Sequence, residues 1–264
     1  MQQASLETAI RSLTETDDLP LPLPPVHVSI ARWFSSIVGK GNLEPTLCHI
    51  FHEDLLYLFY GGVFYRTGQK PTRNAAELPI VFLFDPAILS FVTRYYPFDT
   101  GAMAAGHFGV WSTKFDLFKE MFKVPGRQDF NTPCRMVYHI FGNNSQYLLG
   151  RVNSDCRNKP DPLPQLFDFM SSDLSNHHVD QRQCMIECQV TRPITLERNL
   201  LWLAFPESMT DIFAKLYELT KPSIPDYYAY ASHVIFTASE IAAQLQLRAS
   251  EVVKRYERLP FPNQ

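Results

Sequence analysis

One acid, Glu187, stands between Ile186 and Cys188 in the run DQRQCMIECQVTRPITLERNLLWLAFP, residues 180–206. A carboxylate in so apolar a segment is costly to bury without a partner. It therefore faces a cleft or a partner, or alternation along a strand turns it to solvent. Arg182 is the nearest cation on its N-terminal side. A second group lies in LLYLFYGGVFYR, residues 55–66, which carries no charge before Arg66. Tyr57, Tyr60 and Tyr65 bring hydroxyls to this surface. They belong either to a core with satisfied hydroxyls or to a pocket that stacks a planar ligand. Arg66 ends the run and is suited to a phosphate. His49 and His52 precede it, three apart, with Glu53 and Asp54 next in the chain. On a strand two such imidazoles point to opposite faces, so the spacing does not make a metal pair. No P-loop, G-x-G-x-x-G, G-x-S-x-G or H-E-x-x-H run is present, which removes the usual phosphate loops and the common hydrolase elbow.

The surrounding secondary structure is legible in pieces. Residues 180–206 form two strands around a polar turn, punctuated by Pro193 and Asn199. LCHIFH, residues 47–52, reads as a strand, and Gly61-Gly62 turns a hairpin or admits a ligand close to the backbone. PIVFLFD, residues 79–85, is a buried strand, and a helix runs from Asp85-Pro86 to near Tyr96. Asp99 and Thr100, in the turn YYPFDTG, are placed to cap the next segment. Residues 115–122 are helical and Met136–Phe141 reads as a strand. Residues 143–176 are polar, with Pro160, Pro162 and Pro164, and read as a long loop of the kind that forms lids. Helical spacing marks residues 1–18, 27–38 and 209–219. LPLPLPP, residues 19–25, runs extended as a stiff connector or a proline-rich ligand. The tail offers two helices, one through Leu245 and one over 250–259, with a turn at Leu247–Ala249. That spacing is compatible with a helix-turn-helix, although Glu251 and Glu257 dilute the face of Lys254, Arg255 and Arg258.

Composition sets the class. With 45% hydrophobic and 19% charged residues in 264, the chain can bury a sizeable core. A net charge of −3 gives no global signal for nucleic acid. The five cysteines have no zinc spacing and are odd in number, as expected of a reduced, cytoplasmic protein. No signal peptide and no run of membrane-spanning length is read. The expected fold is α+β: a mixed, mainly antiparallel, split sheet with flanking helices and a small helical C-terminal tail. The expected divisions are 1–45 (helix and connector), 46–222 (the α+β domain) and 223–264 (the tail).

In type and order, three segments resemble the ADP-ribosyltransferases, and most closely the DarT-like members that modify nucleic acid. LLYLFYGGVFYR looks like the nicotinamide-side hairpin, PIVFLFD like the next strand, and QCMIECQV like the strand of the catalytic glutamate. The resemblance implies that NAD is the substrate, with nicotinamide stacked on Tyr60 or Tyr65. It implies that Glu187 is the catalytic carboxylate and that Arg66 contacts the diphosphate, with Arg182 also near the cofactor. His49 or His52 would meet the ribose. It further implies a macromolecular acceptor, nucleic acid before protein, and a toxin–antitoxin or phage-defence setting with an antitoxin or complex subunit as protein partner. Gly61-Gly62 stands where the family would place a phosphate-binding arginine. A second reading is therefore a non-catalytic partner-binding relative. A third is a metal-dependent nuclease using His52, Asp54, Asp85 and Glu187.

Overall fold

Alternating β-branched residues make Pro25–Ile30 a strand, although its apolar spacing also fits a helix. In the computed structural model, which describes residues 4–13, 18–64, 71–72, 74–127, 129–172, 181–220, 226–232 and 237–256, the helix begins only at Phe34. In chain order the strands are β1 (Pro25–Ile30), β2 (Asn42–Leu43), β3 (Thr46–Cys48), β4 (Glu53–Tyr60), β5 (Pro79–Phe84), β6 (Val92–Tyr96), β7 (Val124–Pro125), β8 (Glu187–Val190), β9 (Ile194–Thr195), β10 (Leu200–Pro206) and β11 (Asp226–Tyr230). The α-helices are α1 (Leu6–Ser12), α2 (Phe34–Lys40), α3 (Thr100–Ala104), α4 (Phe115–Met121), α5 (Asn131–Phe141), α6 (Asn144–Leu148), α7 (Leu163–Ser171), α8 (Leu196–Asn199), α9 (Thr210–Thr220) and α10 (Ala238–Tyr256). The fold class is α+β, with mixed and mainly antiparallel strand pairing and a helical C-terminal segment, as expected.

The chain divides into two compact units. The first takes Met1–Pro22, Leu47–Glu53 and Leu89–Val190. In it β6 pairs antiparallel with both β7 and β8. The core is strongly aromatic: Phe98, Phe118, Phe122 and Phe169 meet edge to face or tilted, with centroids 4.8–6.2 Å apart. Such contacts add to the area they bury.

The second unit takes Leu23–Thr46, Asp54–Ile88 and Thr191–Gln264. Its sheet runs β11-β10-β5-β1-β4, antiparallel except for the parallel β10–β11 pair. β5 is buried along its whole length, as a central strand written PIVFLF should be. Helices α2 and α9 pack on each other, and α10 packs on β5.

Several expectations change. Met136–Phe141 is the end of α5, not a strand. Its buried Cys134, Met136, Val137, Ile140 and Phe141 have helical spacing, and Asp129 caps the start through the N–H groups of Asn131 and Thr132 at 2.6 and 2.7 Å. The polar stretch from 143 is not an open loop: it holds α6, a 3₁₀ turn at Ser154–Asn158 and α7, whose Leu163, Leu166, Phe167, Phe169 and Met170 are buried. Its last residues, 173–176, lie outside the described residues. Pro86–Phe91 is a short 3₁₀ helix and the chain then extends into β6. α10 runs unbroken through Leu247–Ala249, so no helix-turn-helix forms among the described residues. No helix among them is long and apolar enough to cross a membrane.

Candidate functional site

Among the described residues two places concentrate polar chemistry, one in each unit. In the first unit, Glu187 opens β8 and is 1% exposed. The buried Thr100 donates to both of its oxygens, from the backbone N–H to Oε2 at 2.9 Å and from the hydroxyl to Oε1 at 2.7 Å. Gln189 Nε2 donates to Oε1 at 2.6 Å. Asp99 precedes Thr100, caps α3 through the N–H of Ala102 at 2.8 Å, and meets Arg182 Nη1 at 3.4 Å. The cap expected of Asp99 is present. Burial, and then the like charge of Asp99, push the Glu187 carboxyl up to about 8. The donors of Gln189 and Thr100 pull the other way and are outweighed.

In the second unit, β1, β4, α2 and the segment Asn42–Thr46 wall a cavity of about 440 Å³. On the sheet side, His27 and Ser29 stand on one face of β1, and Tyr57 comes from β4. On the helix side, Ser36 and Lys40 come from α2 and Trp33 from the turn before it. His27 Nδ1 lies 2.8 Å from the carbonyl oxygen of Tyr57. A carbonyl only accepts, so Nδ1 carries the proton and a neutral ring keeps Nε2 as an acceptor. Burial lowers the pKa of His27, which keeps it neutral. The Asn42 Oδ1 atom is buried without a hydrogen-bond partner among the described residues. Trp33 is 56% exposed, and Lys40 pairs with Glu44. The wall thus offers an aromatic face, the His27 acceptor, hydroxyls and the Lys40–Glu44 ion pair. That set suits a ligand with a planar ring and a polyol.

The structure treats the sequence candidates unevenly. Tyr60 is fully buried, and its hydroxyl accepts from the N–H of Leu23 at 2.8 Å. The hairpin is not formed among the described residues: β4 stops at Tyr60, and Gly61 takes φ 70° with its N–H on Pro24. Any side chain at Gly62 would strike the Phe64 ring, so this glycine serves packing. Tyr65 and Arg66 lie outside the described residues. His49 and His52 occupy the exposed turn after the short β3, and His52 has φ 55°. Arg182 joins the Glu187 neighbourhood through Asp99. No three His, Cys, Asp or Glu side chains among the described residues stand together as a metal site.

Sequence reasoning misses His27, Ser29, Trp33, Lys40 and Asn42. VHVSI with alternating β-branched residues is the available signal for His27 and Ser29 on one strand face. It also misses Gln189, whose role depends on how β6 and β8 pair, and it reads Thr100 as a cap where the structure makes it the first residue of α3 and a donor to Glu187. The chain matches no protein-family model, no curated protein and no solved structure.

Proposed function

We propose two separate things of this chain: that the His27 cavity of the second unit binds a nucleotide, and that the chain transfers ADP-ribose from NAD to a macromolecular acceptor, nucleic acid in preference to protein. The cavity is the observation that carries the binding half. Trp33 supplies a stacking face and His27 Nε2 accepts from a ribose hydroxyl or a carboxamide, while the Lys40–Glu44 pair lies on the same wall.

The transfer half rests on the resemblance of residues 180–206 and on the character of Glu187. In the reaction the bond between ribose C1′ and nicotinamide breaks, and its electron pair leaves with nicotinamide. The acceptor then bonds to C1′ and gives up a proton. A carboxylate stabilises the developing positive charge and takes that proton. Burial and the charge of Asp99 favour the acid form of Glu187, so its carboxylate form, which this role needs, grows as pH rises toward 8. The setting proposed is a cytoplasmic toxin or phage-defence protein, which fits five buried thiols with no disulfide.

A second reading is favoured by one specific observation. Glu187 and Tyr60 are both sealed from solvent, as in a binding protein that does no transfer. Calorimetric titration with NAD tests the shared claim. Saturable binding that weakens in Trp33→Ala and His27→Ala supports the cavity. Absence of heat and of any thermal-shift response with NAD sinks it.

A further inference from the structure

In the β6–β8 pair Arg94 stands opposite Gln189, and Tyr96 stands opposite Glu187. Arg94 Nε donates to the Gln189 side-chain oxygen. A guanidinium has donors and no acceptor, so it fixes which way round the amide lies. The oxygen of Gln189 faces Arg94, and its NH₂ group faces Glu187 Oε1 at 2.6 Å and Thr100 Oγ1 at 3.4 Å. Arg94 is itself held. It pairs with Glu53, its guanidinium lies over the Phe51 ring at 4.4 Å, and its side chain is 14% exposed. A continuous polar chain therefore runs from the partly exposed Glu53 to the buried Glu187.

We propose that Arg94 is a positioning residue for Glu187: it locks the Gln189 amide so that the amide must donate to the Glu187 carboxyl group. Its link to catalysis rests on the reading of Glu187 as the transferase carboxylate. The other groups facing Glu187 are Thr100, which donates twice, Asp99, which carries like charge and the Arg182 ion pair, and Tyr96 and Cys188 on the paired strands. Without the guanidinium the amide is free to turn its oxygen toward Glu187, an arrangement that only the protonated acid tolerates. Losing Arg94 therefore raises the pH at which Glu187 ionises.

The test is the carbon-13 carboxyl titration of Glu187, tracked by NMR on glutamate-labelled protein and identified by the signal missing in Glu187→Gln. In Arg94→Met the midpoint moves up by roughly one pH unit, which corresponds to one lost charge-assisted interaction. Gln189→Met moves it in the same direction, and the double variant adds nothing further. Arg94→Lys moves it less, because an ammonium still donates but lacks the planar fork. An unchanged midpoint in Arg94→Met overturns the proposal. If that variant does not fold, an unchanged midpoint in Gln189→Met overturns it equally. Nicotinamide release, read in parallel, shows the same upward move of its pH profile with KM for NAD unchanged. A shifted titration in a protein that never releases nicotinamide leaves the Arg94 role standing and removes the transferase reading.

Discussion

Thr100 grips both oxygens of Glu187, one with its backbone N–H at 2.9 Å and one with its hydroxyl at 2.7 Å. Both residues are buried, so neither can exchange this contact for water. Thr100→Val keeps the shape and removes one donor from a buried acid. The expected loss is on the order of 1–3 kcal/mol in urea unfolding. Thr100→Ser, which keeps the hydroxyl, should recover most of it. Equal stability of Thr100→Val and wild type would show that the hydroxyl does not support Glu187.

The raised pKa of Glu187 has a signed consequence. The folded value is about 8 and the ordinary value 4.5. The proton is therefore held more tightly in the folded state. Its stabilising contribution is complete below 4.5, falls as pH rises toward 8, and is constant beyond that. Wild type should lose stability relative to Glu187→Gln across this window, as read from urea midpoints at a series of pH values. A difference that stays flat with pH would contradict the assignment.

Asp99 contributes two separable things, a helix cap and a charge. Asp99→Asn keeps an oxygen for the N–H of Ala102 and removes the charge. The Glu187 titration should then move down, because its like-charged neighbour is gone and Arg182 remains. Arg182→Met should move it up. Shifts of the same sign in the two variants would show that charge is not the cause.

Trp33 separates binding from folding in the cavity. At 56% exposure its removal should change stability by no more than about 0.5 kcal/mol. If it stacks the planar ring of the ligand, Trp33→Ala should weaken NAD binding by roughly tenfold. Unchanged affinity would move the ring elsewhere.

The legible parts of the fold are those where one signal dominates. PIVFLF is apolar on both faces and forms the central β5, and Asp99 before Thr-Gly forms the expected cap. Where two periods compete, sequence pattern misleads. MVYHIF is short enough for strand or helix, and the cap from Asp129 with the packing of Cys134 and Met136 decides for helix. At Leu247–Ala249 the tail suggests a turn but has no glycine to make one, and the helix simply continues. Glu187 is conspicuous because it is an acid in an apolar run. Its partners carry no such mark. Thr100 reads as a cap and Gln189 as an ordinary polar residue until the fold sets both against the carboxyl. The cavity is hidden for a related reason: His27 and Tyr57 lie far apart in sequence and meet only when β1 pairs with β4.

NAD-dependent transfer is decided by release of nicotinamide from NAD by the purified protein, with DNA, RNA or protein extract as acceptor, beside Glu187→Gln. The expected result is release that needs an acceptor, increases as pH rises toward 8 as Glu187 ionises, and falls roughly a hundredfold or more in the variant, which corresponds to about 3 kcal/mol in the barrier. Release unaffected by Glu187→Gln, or no release with any acceptor at any pH, would contradict it.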